Sequence, residues 1–477
     1  MSIIPKKPAR QYVVPANVLT PEQSSLLTSF EAKFNISKIV LKNLIPKFHS
    51  EMDLGLQGLG GNLLMVPSYV TARPTGNETG HYLALDFGGT NCRICLIELQ
   101  GSQKVELNYD IFKFSNEQLK EDGSILFSTI ADFIHQFLQK HIQDGTIQAV
   151  HKPLNLGFTF SFPVNMTSLN EGKLVRWTKG FENPGVVGKE VVSLLQSALD
   201  LKKVPITVNA VVNDTVGTLI TSSYSNPTTQ IGLILGTGTN AAYYEKMENI
   251  PKLKGKYSAF KEMAINMEWG AFDNDKKVLP LNEYDEIIDQ NTWNPNQQIF
   301  EKTVSGFYLG EIFRIIIKDL YSKKQLLKGF QLPKAFDIHG GIDTAILSKM
   351  LTDETKQLDI VHKILKEDHP EQIIPYNELI LIQKLAELIG YRAAQFAATA
   401  CSAVLLKRPE LLKNKVIIGV DGSVFEHFPN FPEWMYSTCD QLLGIDNCNN
   451  VQFAITKDGS GVGAALISMI AEYTSKL

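Results

Sequence analysis

The sequence predicts an α/β protein with mixed sheets, and three observations carry that expectation. Two apolar, β-type runs flank an acidic, glycine-rich turn in residues 83–97. A second strand, glycine turn, strand unit follows at 231–244. Elsewhere, strand-like runs alternate with amphipathic helical ones. Two such units in one chain suggest two related halves closing on one ligand.

Residues 1–18 are expected to form a flexible tail. Thr20-Pro21-Glu22-Gln23 offers an N-cap, a proline at the first helical position and a capping-box glutamine, so a helix starts there. A second starts after Ser37, where Ile39, Val40, Leu44, Phe48 and Met52 recur at mostly helical spacing. Pro46 predicts an irregularity in it, and the glycines between Gly55 and Gly61 end it. The first glycine hairpin begins near His81. Residues 126–142 read as an amphipathic helix with Phe127, Ile130, Ile134 and Phe137 on one side. A strand over 156–162 stops at Pro163, and a strand over 206–212 runs into Asn213-Asp214-Thr215 ahead of a helix-like stretch.

Composition narrows the function. At 477 residues and 44% hydrophobic content, the chain can build two or three globular domains. A formal charge of −4 provides no basic footprint, which favours small molecules over nucleic acid. Cys92 and Cys95 have C-x-x-C spacing but fall inside a strand, where residues three apart face opposite ways. Neither a redox pair nor a zinc site is expected. Their apolar neighbours, and those of Cys401, suggest buried thiols and a reducing, cytoplasmic setting. Lys6, Lys7 and Arg10 precede no apolar signal core, and no apolar run reaches the roughly 18 residues of a membrane helix. No membrane insertion is expected, and the protein is expected as a monomer or weak homo-oligomer.

In the first hairpin Gly88 and Gly89 let backbone N–H groups approach an anion, Thr90 adds a hydroxyl, and Asp86 can face a hydrated magnesium ion. An ordinary tight turn explains either glycine segment alone equally well; the pair together favours phosphate. The second segment also fits a relaxed dinucleotide fingerprint, yet Ala241-Ala242-Tyr243-Tyr244 continues as strand where that motif needs a helix. Ser161, Thr178 and Lys179 supply short donors and one cation, which suits a ligand with several hydroxyls. Each is weak alone, because a loop lysine is usually a solvated charge. Asp214 reads equally as a helix N-cap and as a carboxylate that accepts a proton from an attacking hydroxyl; the two roles are compatible.

Several motifs together carry a family resemblance. They are Ser161-Phe162-Pro163, Arg176-Trp177-Thr178-Lys179-Gly180-Phe181, Asn213-Asp214-Thr215-Val216-Gly217-Thr218, Gly236-Thr237-Gly238-Thr239-Asn240, Asn266-Met267-Glu268-Trp269-Gly270, Phe300-Glu301-Lys302 and Lys457-Asp458-Gly459-Ser460-Gly461. In this order the chain resembles the hexokinase family over nearly its whole length, in detail its fungal members. The resemblance implies a two-lobed, ribonuclease-H-like (actin-type ATPase) fold with the sugar in the cleft. Residues 19–79 would be a helical part of the large lobe, 80–213 the small lobe, 214–460 the large lobe and 461–477 a helix returning to the small lobe.

It further implies transfer of the γ-phosphate of ATP to the 6-hydroxyl of glucose or a related hexose, the first step of glycolysis. Asp214 would be the general base and Lys179 a second catalytic group. Ser161, Phe162, Thr178, Lys179, Asn213, Asn240, Glu268 and Glu301 would bind the sugar. For ATP, the resemblance assigns Asp86, Gly88, Gly89, Thr90, Asn91, Arg93 and Thr237, with Asp421, Gly422, Ser423 and Gly459-Ser460-Gly461 towards the adenosine end. Mg2+ would arrive with ATP and be held through phosphate and water, without a dedicated cage. One departure stands out: where many members carry a phenylalanine and, two residues on, a phosphate-reaching threonine, this chain has Phe336-Asp337-Ile338. No catalytic role is assigned to 322–341. A catalytically weak sugar-sensing or assembly protein, or an N-acetylhexosamine kinase, are the competing readings.

Overall fold

The computed structural model describes residues 2–88, 91–147, 152–177 and 180–474. Its strands, in chain order, are β1 (Ser2–Ile3), β2 (Val66–Pro67), β3 (Thr79–Phe87), β4 (Asn91–Gln100), β5 (Val105–Lys113), β6 (Leu154–Phe160) and β7 (Val164–Ser168). They continue as β8 (Glu171–Leu174), β9 (Ile206–Val212), β10 (Thr229–Leu235), β11 (Thr239–Lys246), β12 (Glu262–Asn266), β13 (Val416–Asp421) and β14 (Val451–Ile455).

Among the described residues one sheet runs β5-β4-β3-β6-β9 and the other β1-β14-β13-β10-β11-β12-β2. In the first, β3, β4 and β5 form an antiparallel meander and β6 and β9 lie parallel to β3. In the second, β10, β11 and β12 form the meander and β13 and β14 continue parallel to β10. The two sheets therefore share one topology, as two related halves require. The second glycine segment is the turn of its meander's first hairpin, and the first segment falls between the paired β3 and β4. Each half also ends in a helix: Asp214–Ser225 follows β9 and Gly459–Thr474 follows β14.

These two helices lie back to back between the sheets, and small residues set their spacing. A Cβ on Gly157 of β6 would sit 2.0 Å from the Ala464 carbonyl oxygen, and one on Gly232 of β10 would sit 2.5 Å from the Leu219 nitrogen. At the crossing itself, a Cβ on Gly463 would fall 2.3 Å from the Gly217 Cα. A third apolar core fills the layer around them with Val216, Leu219, Val462 and Leu466. Cys92 packs into the core on the opposite face of the first sheet and Cys95 into this middle one, so the C-x-x-C pair is split as strand alternation demands. The large half is built around the helix Tyr376–Lys407, almost wholly buried from Leu379 to Leu405.

Local signals act as read. Thr20 makes both capping-box hydrogen bonds, and Ser37 caps the second helix. That helix runs unbroken from Lys38 to Gln57 with Pro46 inside it, so the expected irregularity does not end it. The expected flexible tail is instead docked. Ser2 and Ile3 pair with Ile455 and Ala454, Lys6 reaches Asp440 at 2.5 Å, and the buried Tyr12 donates to the Leu351 carbonyl at 2.8 Å. No helix among the described residues is long and apolar enough to cross a membrane.

Candidate active site

Strand ends and helix starts from both halves converge on one cleft. Asn213 caps the helix Asp214–Ser225, its Oδ1 accepting from Thr215 N–H at 2.9 Å, so the cap is Asn213 and Asp214 takes the first helical position. The Asp214 carboxylate accepts from the same N–H at 2.7 Å and from the Thr215 hydroxyl at 3.1 Å. A helix N-terminus favours the ionised form. Ser161 follows β6 and donates its N–H to the Phe87 carbonyl at 3.0 Å, and a Cβ on Gly88 would lie 2.7 Å from it.

On the large half, Asn240 stands in β11, Asn266 ends β12, and Glu268 follows in the left-handed region with φ 54°. Glu268 Oε1 accepts from Asn266 Nδ2 at 2.6 Å and from Asn240 Nδ2 at 3.2 Å. Glu301, in the helix Ile299–Val304, accepts the Thr239 N–H at 3.0 Å, and Gly238 is what makes room for its carboxylate. Burial pushes the Glu268 carboxyl above its ordinary range, and the charge of Asp214 pushes the same way. Burial also pushes Glu301 up to about 7, with Glu268 and Asp214 adding to it. Each carboxylate has lone pairs left to accept further hydrogen bonds beyond these. A polyol in the cleft supplies the donors, and a misplaced hydroxyl would leave one unpaired.

The first glycine hairpin faces the start of the last helix. Ser460 donates to Asp86 Oδ2 at 2.6 Å, and Arg93 bridges Asp458 at 2.7 Å and Asp86 at 3.4 Å. Gly459–Gly461 are thus the first residues of that helix and lie beside Asp86, at the end expected to hold phosphate, rather than at the far end of a nucleotide. Asp421 accepts from Gly459 N–H at 3.3 Å, and burial beside the Asp458 and Asp214 charges lifts it to about 6. Past the second hairpin, a cavity of about 570 Å³ opens between Thr237, Phe307, Ile342 and Ser423.

Comparison with known proteins settles the family. Hexokinase family models match residues 26–224 and 230–470. The chain belongs to the hexokinase family. Its relatives include the hexokinase of Kluyveromyces lactis, 38% identical over 98% of this chain and 96% of its own length. The glucokinase of Aspergillus niger is 39% identical over 90% of this chain and 93% of its own length. The solved hexokinase of Schistosoma mansoni complexed with glucose aligns with a TM-score of 0.80 at 34% identity, covering 94% of this chain and 99% of that one. The chain is thus an ATP-dependent hexose kinase of two-lobed, actin-like fold.

Of the residues read from the sequence in this hexokinase, Asn240 and Glu268 are hydrogen-bonded, Glu301 feels the charge of Glu268 and both feel that of Asp214, Asn213 caps the Asp214 helix, and Ser161 lies against Gly88. Thr178, Lys179, Gly89 and Thr90 lie outside the described residues. Phe162 does not offer its ring to the cleft: it is buried between Phe87, Trp177 and Phe181 and props the Ser161 loop. Asn91 pairs with Lys113 along β4, and Gly422 lets β13 close onto the end of β10, where a Cβ would meet the Leu235 carbonyl at 2.3 Å. Two features escaped sequence reading. Gln298, with φ 55°, has a buried Oε1 that finds no partner among the described residues, beside Gly270 and Glu301. His339 and Gly340, in the stretch given no role, line the cavity and are pinned there by Glu311. Neither carries a local motif.

Proposed function

We propose that this hexokinase phosphorylates the 6-hydroxyl of glucose, with Asp214 as general base. The observation that carries this reading is the set of Glu268, Glu301, Asn240 and Asn266 around one space that the Asp214 charge also reaches. The sugar's hydroxyls donate to the two glutamates and pair with Asn213, Asn240, Ser161 and Gln298. As the 6-oxygen attacks the γ-phosphorus, its proton passes to Asp214 and the bond to the ADP oxygen breaks. Thr178 and Lys179, by the family resemblance, complete the sugar site, Lys179 adding positive charge at the transferring group.

ATP would lay its phosphates along the two hairpin turns, near Asp86 and Thr237, and its nucleoside in the cavity bounded by Ser423. Asp86 and Asp421 fit a hydrated Mg2+, since the half-buried Asp421 lies under the charges of Asp458 and Asp214, a strain that a nearby cation relieves. When bound, such an ion would supply positive charge against the negative charge developing on the transferring phosphoryl group. With a reducing-compartment cysteine pattern, the enzyme would act in the cytoplasm at the entry to glycolysis. A panel of glucose, mannose, fructose and N-acetylglucosamine with ATP and Mg2+ tests the reading. Glucose is expected to give the highest kcat/KM; sugar-independent ATP hydrolysis alone would refute it.

A further inference from the structure

The cavity beyond the second hairpin contains an aromatic face that the reaction above leaves unused. We propose that Phe307 is the platform on which the nucleotide's base stacks, and that this enzyme reads the purine by its face rather than by its edge. The inference rests on the kinase reading above. Gly306 N–H donates to the Gly236 carbonyl at 2.8 Å and Phe307 N–H to the Thr237 carbonyl at 3.1 Å, which ties the start of the helix Gly306–Ser322 to the hairpin turn. A nucleotide with its phosphates at that turn and its nucleoside in the cavity must pass its base over Phe307.

The Phe307 side chain is built for that contact. It is 50% exposed at the cavity wall, although a phenylalanine gains most from burial. Trp293 and Tyr308 hold its ring in T-shaped contacts at 5.6 and 5.0 Å. A held, half-open ring costs little further entropy when a flat ligand covers it.

Several polar side chains of the same wall are already committed inside the protein. Asn291 Nδ2 donates to the Ile287 carbonyl at 2.8 Å and the Thr292 hydroxyl to the Asp289 carbonyl at 2.9 Å. The Thr344 hydroxyl donates to the Gly306 carbonyl at 2.6 Å, and Ser348 to the Thr344 carbonyl at 3.2 Å. His339 Nδ1 is engaged with Glu311 at 3.0 Å. With these groups committed inside the protein, stacking is the main term the base can gain, and stacking tolerates changes at the edge.

The test is calorimetric titration of glucose-saturated wild type, Phe307→Ala, Phe307→Leu and Phe307→Trp with ADP, IDP and inorganic pyrophosphate. Wild type is expected to bind ADP and IDP within about threefold of each other, since they differ only at the base edge. Phe307→Ala, and Phe307→Leu with its bulk but no π face, should each lose roughly tenfold for both nucleotides and less than about twofold for pyrophosphate. Phe307→Trp should restore both. Unchanged ADP affinity in the alanine and leucine variants, an equal loss for pyrophosphate, or a wild-type preference between ADP and IDP beyond about thirtyfold would each overturn the proposal. A wild type that binds glucose but no ADP would overturn the kinase reading itself, a separate failure.

Discussion

Asp214 and Glu301 carry the sharpest expectations at the level of single side chains. Asp214→Ala should lower kcat by about 10²–10⁴-fold while glucose binding stays measurable by calorimetry; turnover within a few-fold of wild type would remove it as the base. Glu301 titrates near 7 against an ordinary 4.5. Its folded value is the higher one, so the folded state keeps this proton while the unfolded chain loses it. Stability therefore falls as pH rises from about 4.5 to about 7 and levels off above. Glu301→Gln should raise Tm at pH 8, with little change at pH 4.5, and abolish most sugar affinity. In the wild type the sugar needs the ionised acceptor, so glucose affinity should weaken below pH 7 by up to about tenfold per unit. Equal glucose affinity at pH 6 and 8 would reject this role. These two carboxylates were legible in the sequence only through their flanking motifs, since charge alone suits a solvated surface. Gln298 was not legible at all: one of two adjacent glutamines in a polar stretch becomes informative only once its oxygen is seen buried beside Gly270.

Secondary-structure elements show where local chemistry suffices and where it does not. The Thr20 capping box, the Ser37 cap and both glycine hairpins are decided by neighbours within a few residues, and all were readable. The order of residues 2–18 was not, because what holds them is hundreds of residues away: Asp440, Leu351 and β14. The cap on the helix after β9 went to Asn213 because its side chain reaches back over the first turn, leaving Asp214 one position further in. Two packing predictions belong here. Gly463→Ala puts a methyl against the Gly217 backbone, which has no rotamer to yield, and should cost about 1–3 kcal/mol in urea unfolding. Arg392 makes two 2.7 Å hydrogen bonds to Asp285 in the interior. Arg392→Met strands that carboxylate, and a loss of about 3–5 kcal/mol is expected.

For the molecule as a whole, the expectation is closure. Ser161 stands on the first half and Asn240, Glu268 and Glu301 on the second, so one pyranose must join both. Glucose should reduce the radius of gyration in solution scattering, excluding water before phosphoryl transfer. An unchanged profile at saturating, turnover-competent glucose would mean a preformed cleft. The two-layered repeat was readable from the paired glycine segments, whereas the wall that takes the nucleoside was not, because 306–308 and 338–345 meet only in three dimensions.

The pairing of β1 with β14 has a consequence for how the chain is made. The sheet β5-β4-β3-β6-β9 draws all its strands from residues 79–212, so it can assemble while the ribosome is still at work. The other sheet cannot be completed until residue 455 has emerged, and until then Ser2 and Ile3 have no strand beside them. The helix that must cover β6, with Ala464 seated on Gly157, arrives later still. Throughout synthesis the earlier half therefore keeps one apolar face open, and nascent chains stalled before residue 455 should bind chaperones and resist neither protease nor aggregation. Among the described residues, the last strand and the last helix are the ones that finish both halves.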